Sequence, residues 1–194
     1  MAQILDLSKK YSQKEIEQAV NRESQYDSIE AGGYVCKIVD AVLNKDRQYI
    51  ELSLDIADGK YEGYFQKLED RAGFWGLKSY MSFKETIIGK FAKTCTSINN
   101  SNPDFNFNPF KDGGSDIDSL IGKKIGAVIG LEEYKSASGE IRLKCNVANV
   151  AEVSKILSGK FRVPELKKLD ISKEGEPVID FMKFESNSSD SVPF

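Results

Sequence analysis

The densest set of residues able to do chemistry runs Arg71-Ala72-Gly73-Phe74-Trp75-Gly76-Leu77-Lys78-Ser79-Tyr80. Cations and aromatic rings interleave there, and Gly73 and Gly76 would let another backbone approach closely. Flat rings beside positive charge suit the bases and phosphates of a single nucleic-acid strand. Stacking one base on an aromatic side chain is worth about 1–3 kcal/mol. The same run also reads as a loop whose Phe74 and Trp75 cover the end of a core, or whose rings point one inward and one outward. The residues alone leave these readings open.

A second set is dispersed. Arg142 and Lys144 alternate along one apolar-polar run, and Tyr49 stands on the polar side of another. Lys45 and Arg47 lie just before Tyr49; Lys135 precedes Ser138-Gly139, and Lys67 lies a few residues before Arg71. Any one such lysine is usually a solvated surface residue, whereas the set fits phosphate contacts. Glu51, Asp55, Glu132 and Glu133 lie nearby, so the surface need not be uniformly positive.

A third set is Asp190-Ser191-Val192-Pro193-Phe194. Phe194 offers a ring for an apolar pocket and a carboxylate for an Arg or Lys beside it. Pro193 lowers the ordering cost of docking. Asp190 is the only acid among these five residues, and the alternative is an ordinary frayed end that finishes on Phe.

Other chemistry lacks its parts. The chain has no histidine, which removes the commonest general base and metal ligand and every Ser-His or Cys-His pair. Cys36, Cys95 and Cys145 are far apart and each sits in an apolar pattern, so small core residues are expected rather than a zinc site or disulfides. Gly122-Lys123-Lys124 lacks the earlier glycine and following hydroxyl of a phosphate loop, since those positions hold Ile117 and Lys124. Asp112, Asp116 and Asp118 lack the spacing and closing Glu of a calcium loop. No enzyme, cofactor or metal is expected. No long apolar run or leader pattern is visible, so a cytoplasmic protein without membrane partners is expected. The formal net charge is −3, and −1 without residues 185–194, which carry Glu185 and Asp190. Nucleic-acid binding would therefore need a local basic patch.

These residues need a scaffold. Ser12-Gln13-Lys14-Glu15 is a capping box, and Ile16, Ala19 and Val20 predict a helix over 12–24 that must dock on the main domain or on a second subunit. Strands are expected over 34–42, 49–56 and 63–68. In the second, Ile50, Leu52, Leu54 and Ile56 share one face. Ser82-x-x-Glu85 then opens a helix carrying Ile87, Phe91 and Cys95. Residues 99–118, with Phe105, Phe107 and Phe110, predict a long ordered loop. Two more strands follow over 123–131 and 140–150, with Ile141, Leu143, Cys145 and Val147 on one side, then a short helix over 152–158 and an extended segment from Val163-Pro164. Strand, strand, strand, helix, strand, strand is the element order of the five-stranded OB-fold barrel, a mostly-β (α+β) fold. Three parts are expected: an arm and helix over 1–30, the barrel with its peripheral helix and extended segment over 31–170, and a flexible tail with its tip over 171–194.

Several stretches carry a family resemblance: Ala31-Gly32-Gly33-Tyr34-Val35-Cys36, Gly73-Phe74-Trp75-Gly76, Leu120-Ile121-Gly122-Lys123-Lys124, Glu132-Glu133-Tyr134 and Val163-Pro164-Glu165-Leu166-Lys167-Lys168-Leu169. With them, the chain resembles small single-strand-binding proteins of Gram-positive phages and mobile elements, often known only as a domain of unknown function. Its tip resembles that of bacterial single-stranded-DNA-binding proteins. The resemblance implies a non-catalytic protein beside replication or recombination functions, in a bacterial host cytoplasm. On this reading Phe74, Trp75 and Tyr80 stack on bases, with Tyr49 on the same polar face. Arg47, Lys67, Arg71, Lys78, Arg142 and Lys144 hold phosphates, and affinity falls steeply with salt. Asp190, Val192, Pro193 and Phe194 recruit replication or recombination proteins. The alternative is a phage adaptor or inhibitor whose groove binds a host replication protein. Exposed barrel edges and the 12–24 helix leave monomer and homo-oligomer equally open.

Overall fold

A computed structural model describes residues 9–24, 28–136 and 139–169. Five antiparallel strands, β1 (Gly32–Asn44), β2 (Tyr49–Ile56), β3 (Lys78–Ser82), β4 (Lys124–Lys135) and β5 (Ile141–Ala151), pair in the order β3-β2-β1-β4-β5. The two outer strands, β3 and β5, curl to within 8 Å of each other, Cα to Cα, without joining in a ladder. The result is a nearly closed barrel of OB-like type, with helix α3 (Ile88–Ser101) between β3 and β4. The long β1 makes this curvature by pairing with β4 through Gly32–Lys37 and with β2 through Cys36–Asn44, with a bulge at Ile38/Asp40.

Period-two alternation fills the barrel. Ile50, Leu52, Leu54 and Ile56 of β2 are buried, as their spacing predicts, together with Cys36 and Ile38 of β1, Leu77 and Met81 beside β2, and Ile125, Ala127 and Ile129 of β4. Phe91, Cys95 and Ile98 of α3 close one side. The loop after α3 is held by Asn99, whose side chain both accepts from Phe107 N (2.8 Å) and donates to Phe107 O (3.1 Å).

The expected third strand over 63–68 is instead helix α2 (Tyr64–Ala72), and the third strand lies ten residues further on. Left-handed glycines, Gly63 (φ 67) and Gly73 (φ 74), bracket this helix, a conformation that favours glycine. Its first turn is capped from outside: Asp55 Oδ1, buried on β2, accepts the Phe65 N–H at 2.9 Å. That cap comes from ten residues upstream, so no local pattern marks it. The second capping box also fails. Ser82 Oγ accepts from Lys84 N, and the helical turn at Glu85–Ile87 begins without a side-chain cap.

Helix α1 (Gln13–Ser24) has its capping box: Glu15 N donates to Ser12 Oγ, and Ser12 N donates to Glu15 Oε2 at 2.7 Å. Residues 11–18, Ile16 included, are exposed, and the side chains of Ala19 and Val20, the rest of the expected docking face, lie outside the described residues.

After β5, α4 (Val153–Leu157) and residues 158–169 form a strap across the outside of β1 and β4. Ile156 and Phe161 pack there on Val35 and Val128 in a second small core. The strands admit it because they carry glycine where it crosses. A Cβ on Gly33 would meet the Phe161 ring at 2.5 Å, one on Gly126 would meet Ile156 at 2.5 Å, and one on Gly130 would meet Pro164 at 2.9 Å. The strap ends on the part of β4 that β1 leaves unpaired, with Glu133 N donating to Lys167 O and Lys167 N to Leu131 O. The expected tail beyond it lies outside the described residues.

Candidate nucleic-acid interface

The outer face of β1, β2 and β3 is fixed by the same alternation that fills the core. The register lines up three rows across it: Asn44, Tyr49 and Ser82; Val42, Glu51 and Tyr80; Asp40, Ser53 and Lys78. Tyr80 is 57% exposed and Val42 51%. Tyr49 and Tyr80 meet edge to face, with centroids 5.3 Å apart and planes at 89°. Each ring thereby holds the other in place, and a supported, exposed ring is what a base needs to stack on. Burial and the nearby Glu51 push the Tyr80 phenol above its usual pKa, so it stays a neutral hydrogen-bonding group at physiological pH.

The three rows carry two acids, Asp40 and Glu51, against one cation, Lys78. Lys78 Nζ and Glu51 Oε1 form an ion pair at 2.5 Å, and the Glu51 hydrogen bond raises the lysine pKa. Positive charge gathers at the margin instead. The β1–β2 turn presents exposed Lys45 and Arg47 at the end of the Tyr49 row. Asn44 Oδ1 shapes that turn by accepting Arg47 N at 2.9 Å, and Gln48 adopts a left-handed φ of 56°. Lys84 and Lys90 are exposed beyond β3.

Between β3 and β5 runs a groove of about 300 Å³, lined by Lys78, Tyr80 and Ser82 from β3, by Asn146 and its successors from β5, and by Lys90 and Thr94 from α3. Arg142 and Lys144 lie on the same side of β5 as Asn146, so the outer faces of β3 and β5 form one surface across this groove. Both cations are engaged by acids: Arg142 with Glu140 at 2.7 Å and Lys144 with Glu132 at 3.8 Å. Glu132 also takes Lys167 at 2.7 Å, and that bond first of all lowers its pKa.

The remaining sequence-derived residues divide. Phe74 is 52% exposed, whereas Trp75 is half-buried against the core and its indole N–H donates to Leu54 O at 3.0 Å. The indole is thus committed to the fold. Lys67 donates to Glu62 O at 3.0 Å, and the charge of Arg71 acts on Tyr64. Lys67, Arg71 and Phe74 lie on and just after α2, between Tyr49 and Tyr80 in the chain. Asp190, Val192, Pro193 and Phe194 lie outside the described residues. Val42, Asn44, Lys84, Lys90 and the groove are additions. Strict alternation through β1 predicts Val42 and Asn44 on the wrong footing because the bulge intervenes.

Ile141 and Leu143 are 55% and 52% exposed, although their apolar spacing predicts a core face. β1 begins opposite Ile129, so the β4–β5 hairpin runs past the β1 pairing, and among the described residues no strand lies beneath its tip. All three cysteines have raised thiol pKa values, with burial the first cause: Cys36 to about 12, Cys95 to about 11 and Cys145 to about 11. Among the described residues no group of three or more His, Cys, Asp or Glu is placed to hold a metal ion, and no helix is long and apolar enough to cross a membrane. Comparison with protein-family models found no match to the chain, and comparison with curated proteins found none.

Proposed function

We propose that this chain is a non-enzymatic single-stranded-DNA-binding protein of phage or mobile-element replication and recombination. The observation that carries the reading is the Tyr49–Tyr80 pair, an exposed aromatic platform on the face of β2 and β3. That is the face OB-type barrels use for oligonucleotides. Bases stack on Tyr80 and against Val42. The phosphates run along the margin, past Arg47 at one end and Lys90, Lys144 and Arg142 on the groove side. Phe74 with Lys67 and Arg71 extends the path around α2. The tip at Asp190, Val192, Pro193 and Phe194 recruits partner proteins.

The test is an anisotropy titration of labelled oligo(dT), with duplex DNA and RNA of equal length as competitors. The reading expects oligo(dT) to bind and the duplex to compete poorly. Absence of any anisotropy change at micromolar protein and low salt would reject it. Deleting 190–194 should leave strand binding intact or slightly stronger and abolish partner capture; the reverse pattern would overturn the assignment of the tip. The neutral Lys78–Glu51 pair at the centre of the face favours a second reading, a phage adaptor or inhibitor whose surface takes a protein. That reading expects no response to any oligonucleotide.

A further inference from the structure

We infer that the groove between β3, β5 and α3 takes one unstacked nucleobase and reads its hydrogen-bonding edge. This inference rests on the strand-binding reading and adds sequence preference to it. The groove holds about 300 Å³, the lower end of the roughly 300–1,000 Å³ of small-molecule sites, which suits a single heterocycle. It opens beside Tyr80, so a strand stacked on that ring passes its mouth.

Its lining is unusual for a barrel seam. Ser79 and Thr94 are buried hydroxyls among apolar neighbours, Thr94 Oγ1 donating to Lys90 O at 3.1 Å and keeping its lone pairs for an incoming donor, and Asn146 and Asn149 add amides from β5. The strand edge contributes more. Leu54 N donates to Leu77 O, and Phe83 N donates to Gln48 O. Alternation along the β2–β3 ladder then turns the backbone N–H and C=O groups of Lys78, Tyr80 and Ser82 away from β2, towards the seam. No β3–β5 ladder uses them. A closed barrel would pair these groups with β5. Here they face a cleft with apolar walls from Phe91 and Val147, which can sandwich a flat ring. Single-stranded nucleic acids are read in this way, by splaying a base out and bonding its free edge. A purely apolar peptide side chain would leave the outward N–H and C=O groups of the β3 edge unmatched.

The experiment compares oligo(dT), oligo(dC) and oligo(dA) by anisotropy with the full chain and with Thr94→Val and Asn149→Ala. Wild type should separate the best and worst homopolymer by roughly tenfold, the scale of one well-made base contact. Both variants should shrink that spread to about twofold or less, with the salt dependence of oligo(dT) binding unchanged. Thermal melting of each variant confirms folding. Should Thr94→Val prove unstable, 2-aminopurine placed singly along oligo(dT) gives an independent readout: one position should change fluorescence in isolation. Wild-type binding with no spread, or a spread the variants retain, overturns the base pocket and leaves the strand-binding reading standing. No binding of any homopolymer overturns both.

Discussion

At the scale of single residues, the rings divide into those that build the fold and those that face outward. Tyr49 and Tyr80 support each other on an open face, whereas Trp75 is tied to Leu54 O. Tyr80→Ala should therefore weaken oligo(dT) binding by about 5- to 150-fold, the equivalent of roughly 1–3 kcal/mol of stacking, with little change in the urea midpoint. Trp75→Phe should do the opposite. It loses one hydrogen bond, costs about 1 kcal/mol of stability, and leaves strand affinity unchanged. If Trp75→Phe reduced affinity as Tyr80→Ala does, the division would be wrong. The residue types in this region were readable as stacking candidates, but their directions were not. Which of Phe74 and Trp75 turns inward depends on a backbone carbonyl of β2, about twenty positions away in the chain.

At the scale of elements, β2 could be read directly because its alternation is unbroken, the bulge in its pairing with β1 falling on β1. Helix α2 could not, because six residues over 63–68 satisfy either period and the deciding cap is Asp55. The strap was hidden for a different reason. Its signal is a set of glycines inside strands, Gly33, Gly126 and Gly130, which only makes sense once something crosses them. Gly33→Ala should displace Phe161 and cost about 1–3 kcal/mol, read as a lower urea midpoint with unchanged slope. The end of the strap is pH-sensitive. Glu132 has a pKa below its usual 4.5, chiefly through the Lys167 hydrogen bond. Its contribution is complete above the unfolded value and is lost as pH falls through the lower folded value. On acidification below about pH 4.5 the Glu133 and Lys167 amide resonances should therefore shift together, while those of Leu52 and Leu54 hold. Earlier movement of the β2 resonances would contradict this.

At the scale of the whole molecule, charge is concentrated by position. Residues 170–194 carry six acids and two lysines, so the −3 of the chain becomes +1 over residues 1–169. The body is nearly neutral, and Lys78, Arg142 and Lys144 are each engaged by an acid. A strand must displace those acids to use these cations, so few phosphates are neutralised. The steep salt dependence expected from the residue list should thus be shallow: about −2 to −3 in log K against log salt, at roughly −0.7 per phosphate. The barrel itself was readable from element order, because that order survives an error in where the third strand lies. The open seam was not, since only tertiary curvature decides whether β3 and β5 close. The central claim is that the outer face of β1, β2 and β3 holds the strand. Amide chemical-shift mapping of the labelled chain with oligo(dT) tests it most directly. The account predicts the largest shifts at Val42, Arg47, Glu51 and Tyr80, with the strap residues Ile156 and Phe161 unmoved. Shifts confined to the strap, or none at saturating oligonucleotide, would contradict it.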